Sequence, residues 1–597
     1  MTPRLLRPLR RAVFASAAAL ALVAGIGHQA RADSATGAYL AARHAAVLND
    51  YENAATYYTR ALAKQPGNVE MMEQAVLYKV AAGRVSDAVP IARSLVEKKP
   101  GHRIAQLVLV VDAIGKGEHE AAAERLDEHG SDSFNVITAR LLEGWNELAR
   151  GDGEAAQEAF GKLDSQRLFA VFGRYHAALA AAIDGDADAA DAAFVKAVGD
   201  KAPSPRLAEA YGRFLEREDR ADEAAELYAE ALRGAPGDAV LEAAIDRATS
   251  AEAGTPELMI PTAESGAAEA LFGLAGAFAR EDGGVRLSLV YVQLALHLDD
   301  TMDPARILLG NVMEAQQRWD DAAETFARIG EDSPYFRTAQ IGRADALGRI
   351  ERVDEALEAL EGLEENYPED VSLPIARGDL LRRVERYAEA GTAYDRALGM
   401  IDEPEPRHWS LFYARGVTQE RIGNWDKAEA DLQQALEFRP DQAHVLNYLG
   451  YSWIEQGRNL EEARGMIEKA VRLRPDDGYI TDSLGWVQYR LGDFDQAVET
   501  MERAVELMPT DPVINDHYGD TLWIVGRRLE ARFQWKRALS FDPEEEDLKE
   551  RILRKLDVGL DKVLLEEREE MPEESEGVAD APAEPEVPVK KKDADDG

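Results

Sequence analysis

The sequence predicts an all-α protein, a solenoid of stacked helical hairpins, and an internal repeat is the main reason. Five small or proline positions near the C-terminus recur at an interval of 34 residues. They are Gly485, Gly492, Ala497, Ala504 and Pro509, followed by Gly519, Gly526, Ala531, Ala538 and Pro543. The 25 Pro and 46 Gly are mostly spread singly, which favours helices joined by short turns. A fixed period of this length is typical of repeat architectures.

Length and composition limit the classes of protein. With 597 residues the chain is too long for one compact core, so it must form several domains or a repeat array. Its formal net charge of −42 disfavours nonspecific binding to nucleic acid or to anionic membranes. Cysteine is absent. That excludes disulfides, thiolate zinc sites, Cys nucleophiles and a lipidated N-terminal Cys.

The N-terminus has the three-part pattern of a secretory signal. Arg4 and Arg7 belong to a basic start, residues 12–26 are apolar, and Ala30-Arg31-Ala32 predicts cleavage before Asp33. The apolar run is shorter than the roughly 20 residues of a membrane-spanning helix, so we expect no stable membrane span. The pair Arg10-Arg11 leaves the twin-arginine route as an alternative to the general one. Residues 1–32 are therefore interpreted as a signal peptide, and the mature chain is expected in a bacterial periplasm.

Each repeated position has a structural role within a helical hairpin. Small residues at fixed offsets let two antiparallel helices approach closely, the middle Gly supplies a left-handed turn residue, and Pro ends the second helix. One hairpin cannot bury its apolar face alone, so neighbouring hairpins must stack.

These positions resemble the tetratricopeptide repeat family, in which a small residue, Ala, a large apolar residue, Ala and Pro recur in order. Clear copies are Ala42, Ala54, Tyr58, Ala61 and Pro66; Gly212, Ala224, Tyr228, Ala231 and Pro236; and Gly416, Ala428, Leu432, Ala435 and Pro440. The resemblance implies a right-handed superhelical solenoid of about fourteen helix-turn-helix hairpins over residues 35–543. Because these are packing positions, they indicate the fold and not the function.

The array is expected to have two parts and a C-terminal extension. An N-terminal sub-array over residues 33–248 is followed by a linker or hinge at 249–266, which contains Gly254, Pro256 and Pro261. We expect its Leu258, Met259 and Ile260 to dock on a neighbouring helix, with a partner-binding hook as the alternative. A second sub-array occupies 267–543. Residues 544–565 predict a charged capping helix, and the acidic stretch 566–597 predicts disorder.

No catalytic or metal-binding pattern is convincing, so the prediction is a protein that is not an enzyme and needs no cofactor. The His residues are scattered, and no pair has the helical spacing of a zinc motif. Asp184, Asp186 and Asp188 imitate the start of a calcium loop, but Ala189 and Val195 stand where Gly and Glu are required. A hydrolase or transferase hidden in the weak repeats at 100–135 or 249–290 is the least favoured alternative, because those segments are too short for a catalytic domain.

A partner-binding groove follows from the family resemblance. In such repeats the first helix of each hairpin lines a concave groove, through positions three before, one after and four after the small residue. These offsets form one helical stripe. In the three best copies they give Asn447, Tyr451 and Ile454; Asp482, Trp486 and Tyr489; and Asp516, Asp520 and Trp523. Aromatic rings edged with carboxylates would suit a segment with basic and apolar side chains.

Tryptophan is concentrated in the same part of the chain, with six of the eight between Trp409 and Trp535. Trp535 occupies the large core position of its repeat, and Trp453 is expected to pack between helices. Trp486 and Trp523 lie on the groove stripe, with burial against a neighbouring hairpin as the alternative for both.

The favoured function is a periplasmic scaffold or adaptor that holds partner proteins in this groove. Strings such as Asn447-Tyr448-Leu449-Gly450-Tyr451 make residues 440–543 similar to exported bacterial repeat proteins. Among these are the adaptor lipoproteins of carboxyl-terminal processing proteases. The resemblance implies protein or peptide partners, such as a periplasmic protease or an envelope assembly protein. The chain lacks the lipidated Cys of those adaptors. The alternative is a component of envelope polysaccharide assembly or export, because aromatic rings and carboxylates also suit sugar stacking.

Overall fold

The computed structural model describes residues 34–129, 136–165, 169–199, 202–250, 254–543 and 545–570. The chain divides into two compact units, residues 1–362 and residues 363–597. All regular structure in the described ranges is helical, as predicted. The predicted signal peptide and residues 571–597 of the predicted tail lie outside the described residues.

In the part of unit 1 that the structure describes, helices follow one another in pairs up to the boundary. The helices are α1 Ala35–Val47, α2 Tyr51–Lys64, α3 Val69–Ala81, α4 Val85–Lys98, α5 Arg103–Gly115, α6 His119–His129, α7 Val136–Ala149, α8 Gly153–Gly161, α9 Ala170–Asp184, α10 Ala187–Val198, α11 Pro205–Arg217, α12 Ala221–Gly234, α13 Ala239–Thr249, α14 Ala263–Ala279, α15 Val285–Leu298, α16 Asp303–Ala315, α17 Trp319–Phe326, α18 Phe336–Arg349 and α19 Val353–Asn366. A short 3₁₀ turn, Lys162–Ser165, follows α8. The unit boundary falls within α19.

Unit 2 continues the same pattern to the end of the described chain. Its helices are α20 Ser372–Arg383, α21 Tyr387–Gly399, α22 Trp409–Arg421, α23 Trp425–Phe438, α24 Ala443–Glu455, α25 Leu460–Leu473, α26 Gly478–Arg490, α27 Phe494–Leu507, α28 Pro512–Ile524, α29 Arg528–Ser540, α30 Glu546–Val558 and α31 Leu560–Glu570. A 3₁₀ turn, Pro406–His408, precedes α22.

The turn and packing roles predicted for the repeated positions are confirmed. Gly492 and Gly526 sit between the two helices of their hairpins with φ of 85° and 83°, a conformation that a side chain disfavours. A Cβ on Gly519 would lie 2.4 Å from the Trp535 ring, so only glycine lets α28 approach α29 this closely. Trp535 is fully buried and Trp453 is 3% exposed, which confirms both as core residues.

In unit 1 the chain after residue 262 packs back onto earlier hairpins. Helix α14 lies against α7 and α9, and α15 lies against α3, α4 and α5. Gly266 on α14 meets the Trp145 ring, where a Cβ would be 2.3 Å from ring carbons. The Asn49 side chain donates to the Gln316 backbone oxygen at 3.4 Å, which ties the first hairpin to the segment before α17.

A buried ionic cluster holds α14 against these earlier hairpins. The Glu269 carboxylate on α14 is 2% exposed, and it accepts hydrogen bonds from Arg206 at 2.7 and 3.1 Å. The Tyr175 hydroxyl donates to the same carboxylate at 2.8 Å. Burial by itself would raise the pKa of Glu269, but the Arg206 charge and these hydrogen bonds outweigh it and lower that pKa. Helices α9, α11 and α14 therefore meet at the hydrogen-bonded Glu269–Arg206 pair.

The predicted linker lies within unit 1 and joins α13 to α14. Ile260 is buried, and Leu258 and Met259 are partly buried, in accordance with the expectation that this apolar triplet is not free in solvent. A hinge motion at 249–266 stays a prediction.

The C-terminal extension is a helical hairpin. Helices α30 and α31 contact each other across Gly559, whose φ is 88°. Helix α31 runs to Glu570, so residues 566–570, predicted as the start of the tail, are helical. Within the described residues, none of the helices has the length and apolar character to cross a membrane.

Candidate functional site

Three neighbouring first helices of unit 2 form the surface on which the sequence places its groove. Helix α24 contacts α26, and α26 contacts α28, so their stripes lie side by side. We call this surface the inner face. Its spacing depends on the glycines of the repeat, because a Cβ on Gly450 or Gly485 would come within 3 Å of Ile467 or Met501 on the paired helix.

Helix α24 contributes one edge of the inner face. Asn447 and Tyr451 are partly buried, and the Asn447 side-chain oxygen is buried without a hydrogen-bond partner among the described residues. Burial, with a smaller contribution from Glu455, raises the pKa of Tyr451 well above its usual value. Ile454 is 1% exposed and packs in the hydrophobic core with Trp453. The prediction that Ile454 lines the groove is therefore wrong, because its side chain is used between helices.

Helix α26 places an aromatic pair in the middle of the inner face. The rings of Trp486 and Tyr489 stack with 5.0 Å between centroids, and both are partly buried. The Trp486 indole N–H donates to Glu455 Oε1 at 2.8 Å. The His517 ring from α28 stacks on Trp486 at 4.3 Å. Trp486 is thus held by groups from all three helices and keeps part of its ring open to solvent.

Asp482 is paired with His517 on the next first helix. Both carboxylate oxygens of Asp482 lie 3.0 to 3.1 Å from His517 Nδ1, and Asp482 is 7% exposed. Burial alone would lower the pKa of His517, but the Asp482 charge and hydrogen bond raise it overall, with help from Asp516 and Asp520. The Asp482 carboxylate therefore already has a hydrogen-bonded partner within the chain.

The three groove residues predicted on α28 are covered by the C-terminal helices. Asp516 and Asp520 are each 1% exposed, and the fully buried Lys555 of α30 donates to both, at 2.8 and 2.7 Å. Trp535 Nε1 donates to the other oxygen of Asp520 at 2.9 Å. Burial and the neighbouring Asp520 raise the pKa of Asp516.

Trp523 is covered as well. It is 8% exposed, its ring lies 5.2 Å from that of Trp535, and Gly559 packs on it so closely that a Cβ would be 2.6 Å away. The expectation that Asp516, Asp520 and Trp523 line an open groove is wrong, because α30 occupies the position that the first helix of a further repeat would take.

The partners that sequence reasoning missed follow a simple interval. His517 lies 35 residues after Asp482, and Lys555 lies 35 residues after Asp520. This interval of 35 residues is one longer than the repeat, and it places these side chains of adjacent first helices opposite each other. The interval could have identified the Asp482–His517 pair. Lys555 instead belongs to a charged helix whose side chains are expected in solvent.

The open part of the inner face is consequently smaller and more aromatic than predicted. It consists of Asn447, Tyr451, Trp486 and Tyr489, with Glu455 and Arg490 at its edge. Glu455 Oε2 lies 3.8 Å from the Arg490 guanidinium. We call these residues the aromatic strip. In the described part of the chain, His, Asp and Glu side chains form no group of three or more that could hold a metal ion.

The repeats themselves are identified by comparison with protein families. Models of the tetratricopeptide repeat match residues 40–70, 341–406, 413–477 and 455–512. The chain therefore contains tetratricopeptide repeats, and the aromatic strip lies within the matched ranges. Proteins with such repeats serve as scaffolds for protein–protein interaction and are typically not catalytic.

Comparison with solved structures gives distant similarity to other repeat proteins. The APC/C hetero-tetramer Cut9-Hcn1 has 13% identity over 88% of this chain and 96% of that chain, with a TM-score of 0.38. TTC0263, a thermophilic TPR protein in Thermus thermophilus, has 23% identity over 33% of this chain and all of its own length, with a TM-score of 0.28. YrrB, described as a TPR protein with an unusual peptide-binding site, has 19% identity over 32% of this chain and 96% of its own, with a TM-score of 0.26. A comparison with curated proteins gave no match.

Proposed function

We propose that the aromatic strip holds a segment of a partner protein and that the chain is an exported, periplasmic scaffold or adaptor. The observation that carries this proposal is the fixed, half-open Trp486. Its ring is oriented by the Glu455 hydrogen bond and by stacking on His517 and Tyr489. Aromatic side chains held in this way lose little conformational entropy on binding and are common anchors at interfaces.

The chemistry of the strip defines the segment that it would bind. Apolar or aromatic side chains of the partner would pack on the partly open rings of Trp486 and Tyr489. The orphaned Asn447 side-chain oxygen would accept a hydrogen bond from a backbone or side-chain N–H of the partner. Basic partner residues would be favoured by the overall charge of −42. Asp482, Asp516 and Asp520 take no part, since each is paired within the chain.

A displayed peptide library tests the binding role. Peptides selected on the mature chain should be rich in apolar and basic residues, and their Kd should rise about tenfold or more in a Trp486→Ala/Tyr489→Ala variant. Tyr479→Ala is the matched control, because Tyr479 lies on the same helix, is 56% exposed and is outside the strip. Unchanged peptide affinity in the double variant would refute the proposal. Retention of oligosaccharides in place of peptides, lost in the same variant, would favour the polysaccharide alternative.

The location has its own test. N-terminal sequencing of the chain recovered from a periplasmic fraction should begin at Asp33. Recovery in the cytosol with residues 1–32 intact would contradict export.

A carboxyl-terminal processing protease as the partner is supported by the resemblance of residues 440–543 alone. Co-purification of such a protease with the wild type, and its loss in a Trp486→Ala variant, would test it.

A further inference from the structure

The buried tyrosine of the first hairpin in unit 1 differs from its counterparts in later hairpins. Tyr58, Tyr228 and Tyr394 occupy the large core position of their hairpins, and each is 3% exposed or less. The Tyr228 hydroxyl donates to Glu216 at 2.8 Å, and the Tyr394 hydroxyl donates to Asp379 at 2.7 Å. The Tyr58 hydroxyl has no hydrogen-bond partner among the described residues. A buried donor of this kind costs free energy unless another group accepts from it.

The difference follows from the sequence of α1. Glu216 lies four residues after the small residue of its hairpin, and Asp379 lies one residue after its own. Counted from the small residue Ala42, the same two positions of α1 hold Ala46 and Arg43. The first hairpin therefore has a methyl group and a cation at the two positions from which the other hairpins offer a carboxylate to the tyrosine.

Tyr58 lines a groove between the first hairpins and the returning helix α15. The groove has a volume of about 440 Å³, and α1, α3 and the start of α15 form its walls. Tyr78 on α3 is 7% exposed and stacks on Tyr58, with 5.5 Å between ring centroids. In the described part of the chain, the Tyr78 hydroxyl also has no hydrogen-bond partner. We call this surface the tyrosine groove, and its lining includes Tyr39, Arg43, Ala46, Tyr58, Tyr78 and Arg286.

The charged side chains of the tyrosine groove favour an anion. Arg43 and Arg286 are exposed, and neither forms an ion pair within the described residues. The acidic side chain of the lining is Glu70, and its carboxylate accepts a hydrogen bond from the Tyr39 hydroxyl at 3.2 Å. The described lining thus carries two cations and one anion. Screening over about 8 Å confines electrostatics to such local groups, so the net charge of −42 opposes an acidic ligand only weakly.

The buried hydroxyl requires an acceptor. Burial raises the pKa of Tyr58 to about 12, so this hydroxyl stays protonated. The Arg43 charge acts on the same pKa in the opposite direction, which places the guanidinium near the hydroxyl. A carboxylate is the acceptor that Tyr228 and Tyr394 already use, and hydrogen bonds to charged acceptors are the stronger ones.

We propose that the tyrosine groove binds an acidic segment of a partner protein, and that a side-chain carboxylate of this segment accepts the hydrogen bond from Tyr58. The ligand would supply the group that Glu216 and Asp379 supply within their own hairpins. The same carboxylate would pair with Arg43, and a second one would pair with Arg286.

A polypeptide suits the tyrosine groove better than an acidic glycan does. The rings of Tyr58 and Tyr78 stack on each other, so these faces are not open to a sugar ring. Val47 lines the groove and is 77% exposed, and it would contact apolar side chains between the acidic ones. The aromatic strip of unit 2 favours basic segments, so the two surfaces would bind different segments.

Peptide selection on the mature chain tests the class of ligand. The Trp486→Ala/Tyr489→Ala variant is used, so that the aromatic strip does not contribute. Displayed peptides that bind it should be rich in Asp and Glu. The Kd of a selected peptide, made with an amidated C-terminus, should rise about tenfold in Arg43→Gln and in Arg286→Gln. Arg60→Gln is the control, because Arg60 is exposed on α2 and lies outside the groove. Selected peptides without acidic residues, or retention of acidic oligosaccharides in place of peptides, would overturn the proposal.

An internal carboxylate should compete with the ligand. Ala46→Glu places a carboxylate at the position that Glu216 has in its hairpin, so it should accept from Tyr58 and raise the Kd of the selected peptide about tenfold. His44→Glu adds the same charge at an exposed position of α1 outside the lining, and should change the Kd by less than about twofold. Equal affinities of Ala46→Glu and the wild type would overturn the proposal.

Removal of the hydroxyl separates binding from folding. Tyr58→Phe should weaken the selected peptide about tenfold and leave the Tm of the free chain nearly unchanged, because the hydroxyl has no partner within the described chain. Tyr228→Phe should lower the Tm by about 2 °C or more, because it breaks the hydrogen bond to Glu216. An equal loss of Tm in both variants would show that the Tyr58 hydroxyl is already bonded in the free chain, and would overturn the proposal.

Discussion

Lys555 on α30 reaches Asp520 on α28, with 2.7 Å between Nζ and Oδ2, although 35 residues separate them. The same ammonium group contacts Asp516, and neither side of this cluster reaches solvent. The chain thus closes its own inner face at the C-terminal end with a helix that presents Lys555, and only the part formed by α24 and α26 stays open.

The first prediction concerns this buried lysine. Lys555→Met should lower the free energy of unfolding of unit 2 by about 3–5 kcal/mol. The buried Asp516 and Asp520 would lose the ammonium group that donates to both and would keep only the Arg551 guanidinium, which lies 3.8 and 3.6 Å from them. Urea unfolding measures the loss, and hydrogen exchange should place it in α28–α31. Lys562→Met, at an exposed position of α31, should change stability by less than about 0.5 kcal/mol. A loss of unfolding free energy as small as that of Lys562→Met would show that the cluster does not stabilise the fold.

The second prediction concerns the pH dependence of the Asp482–His517 pair. The pKa of His517 is raised in the folded chain, so the pair stabilises the fold fully below the unfolded value of about 6.5. This contribution is lost as the pH rises through the folded pKa. The difference in unfolding free energy between the wild type and His517→Gln should therefore decrease as the pH rises above the unfolded value of about 6.5. A difference that grows with pH would contradict the pairing.

The third prediction has the opposite sign and concerns His176 in unit 1. This ring is 1% exposed and accepts a hydrogen bond from Trp145 Nε1 at 3.1 Å, which requires Nδ1 to be unprotonated. Burial lowers the pKa of His176 to about 4. The unfolded chain binds a proton near pH 6.5 that the folded chain does not, so stability is lost as the pH falls between these values.

Relative to His176→Gln, the wild type should lose about 2 kcal/mol of unfolding free energy between pH 7 and pH 5. Chemical unfolding at the two pH values checks this. His444→Gln, at an exposed position, serves as the control and should track the wild type at both. If the difference in unfolding free energy between the wild type and His176→Gln were the same at pH 5 as at pH 7, His176 would be protonated in the folded chain.

The fourth prediction tests the return of the chain onto the early hairpins. Gly266→Ala should destabilise unit 1 by about 1–3 kcal/mol, because the added methyl group would overlap the Trp145 ring. Gly276→Ala lies on the same helix with no atom within 4 Å of the new Cβ, and should stabilise it by about 0.5–1 kcal/mol. Thermal unfolding of the two variants separates these effects. Stabilisation by both would show that α14 does not depend on this contact.

The hairpins and their contacts were largely predictable. The repeat positions describe interactions within one hairpin or between adjacent hairpins, so each has a counterpart 34 residues away, as Gly485 and Gly519 do. The same periodicity correctly assigned Trp535 and Trp453 to the core. The helical stripe also predicts the inner face, on which Asn447, Tyr451, Trp486 and Tyr489 lie, whereas their binding of a partner stays a prediction.

The sequence by itself therefore determined the all-α repeat fold, the turns and the stripe that carries Trp486. Only the tertiary structure decided that Glu269 and Arg206 clamp a returning helix in unit 1, and that Lys555 covers Asp516 and Asp520. The physical reason is that the repeat positions specify neither contact: the first joins hairpins that are far apart in the chain, and the second joins the last repeat to α30, a helix that lacks the small residues of the repeat. A lysine in a charged helix and a glutamate in an alanine-rich one are expected in solvent, and only the packed fold shows that each is buried against its counterion.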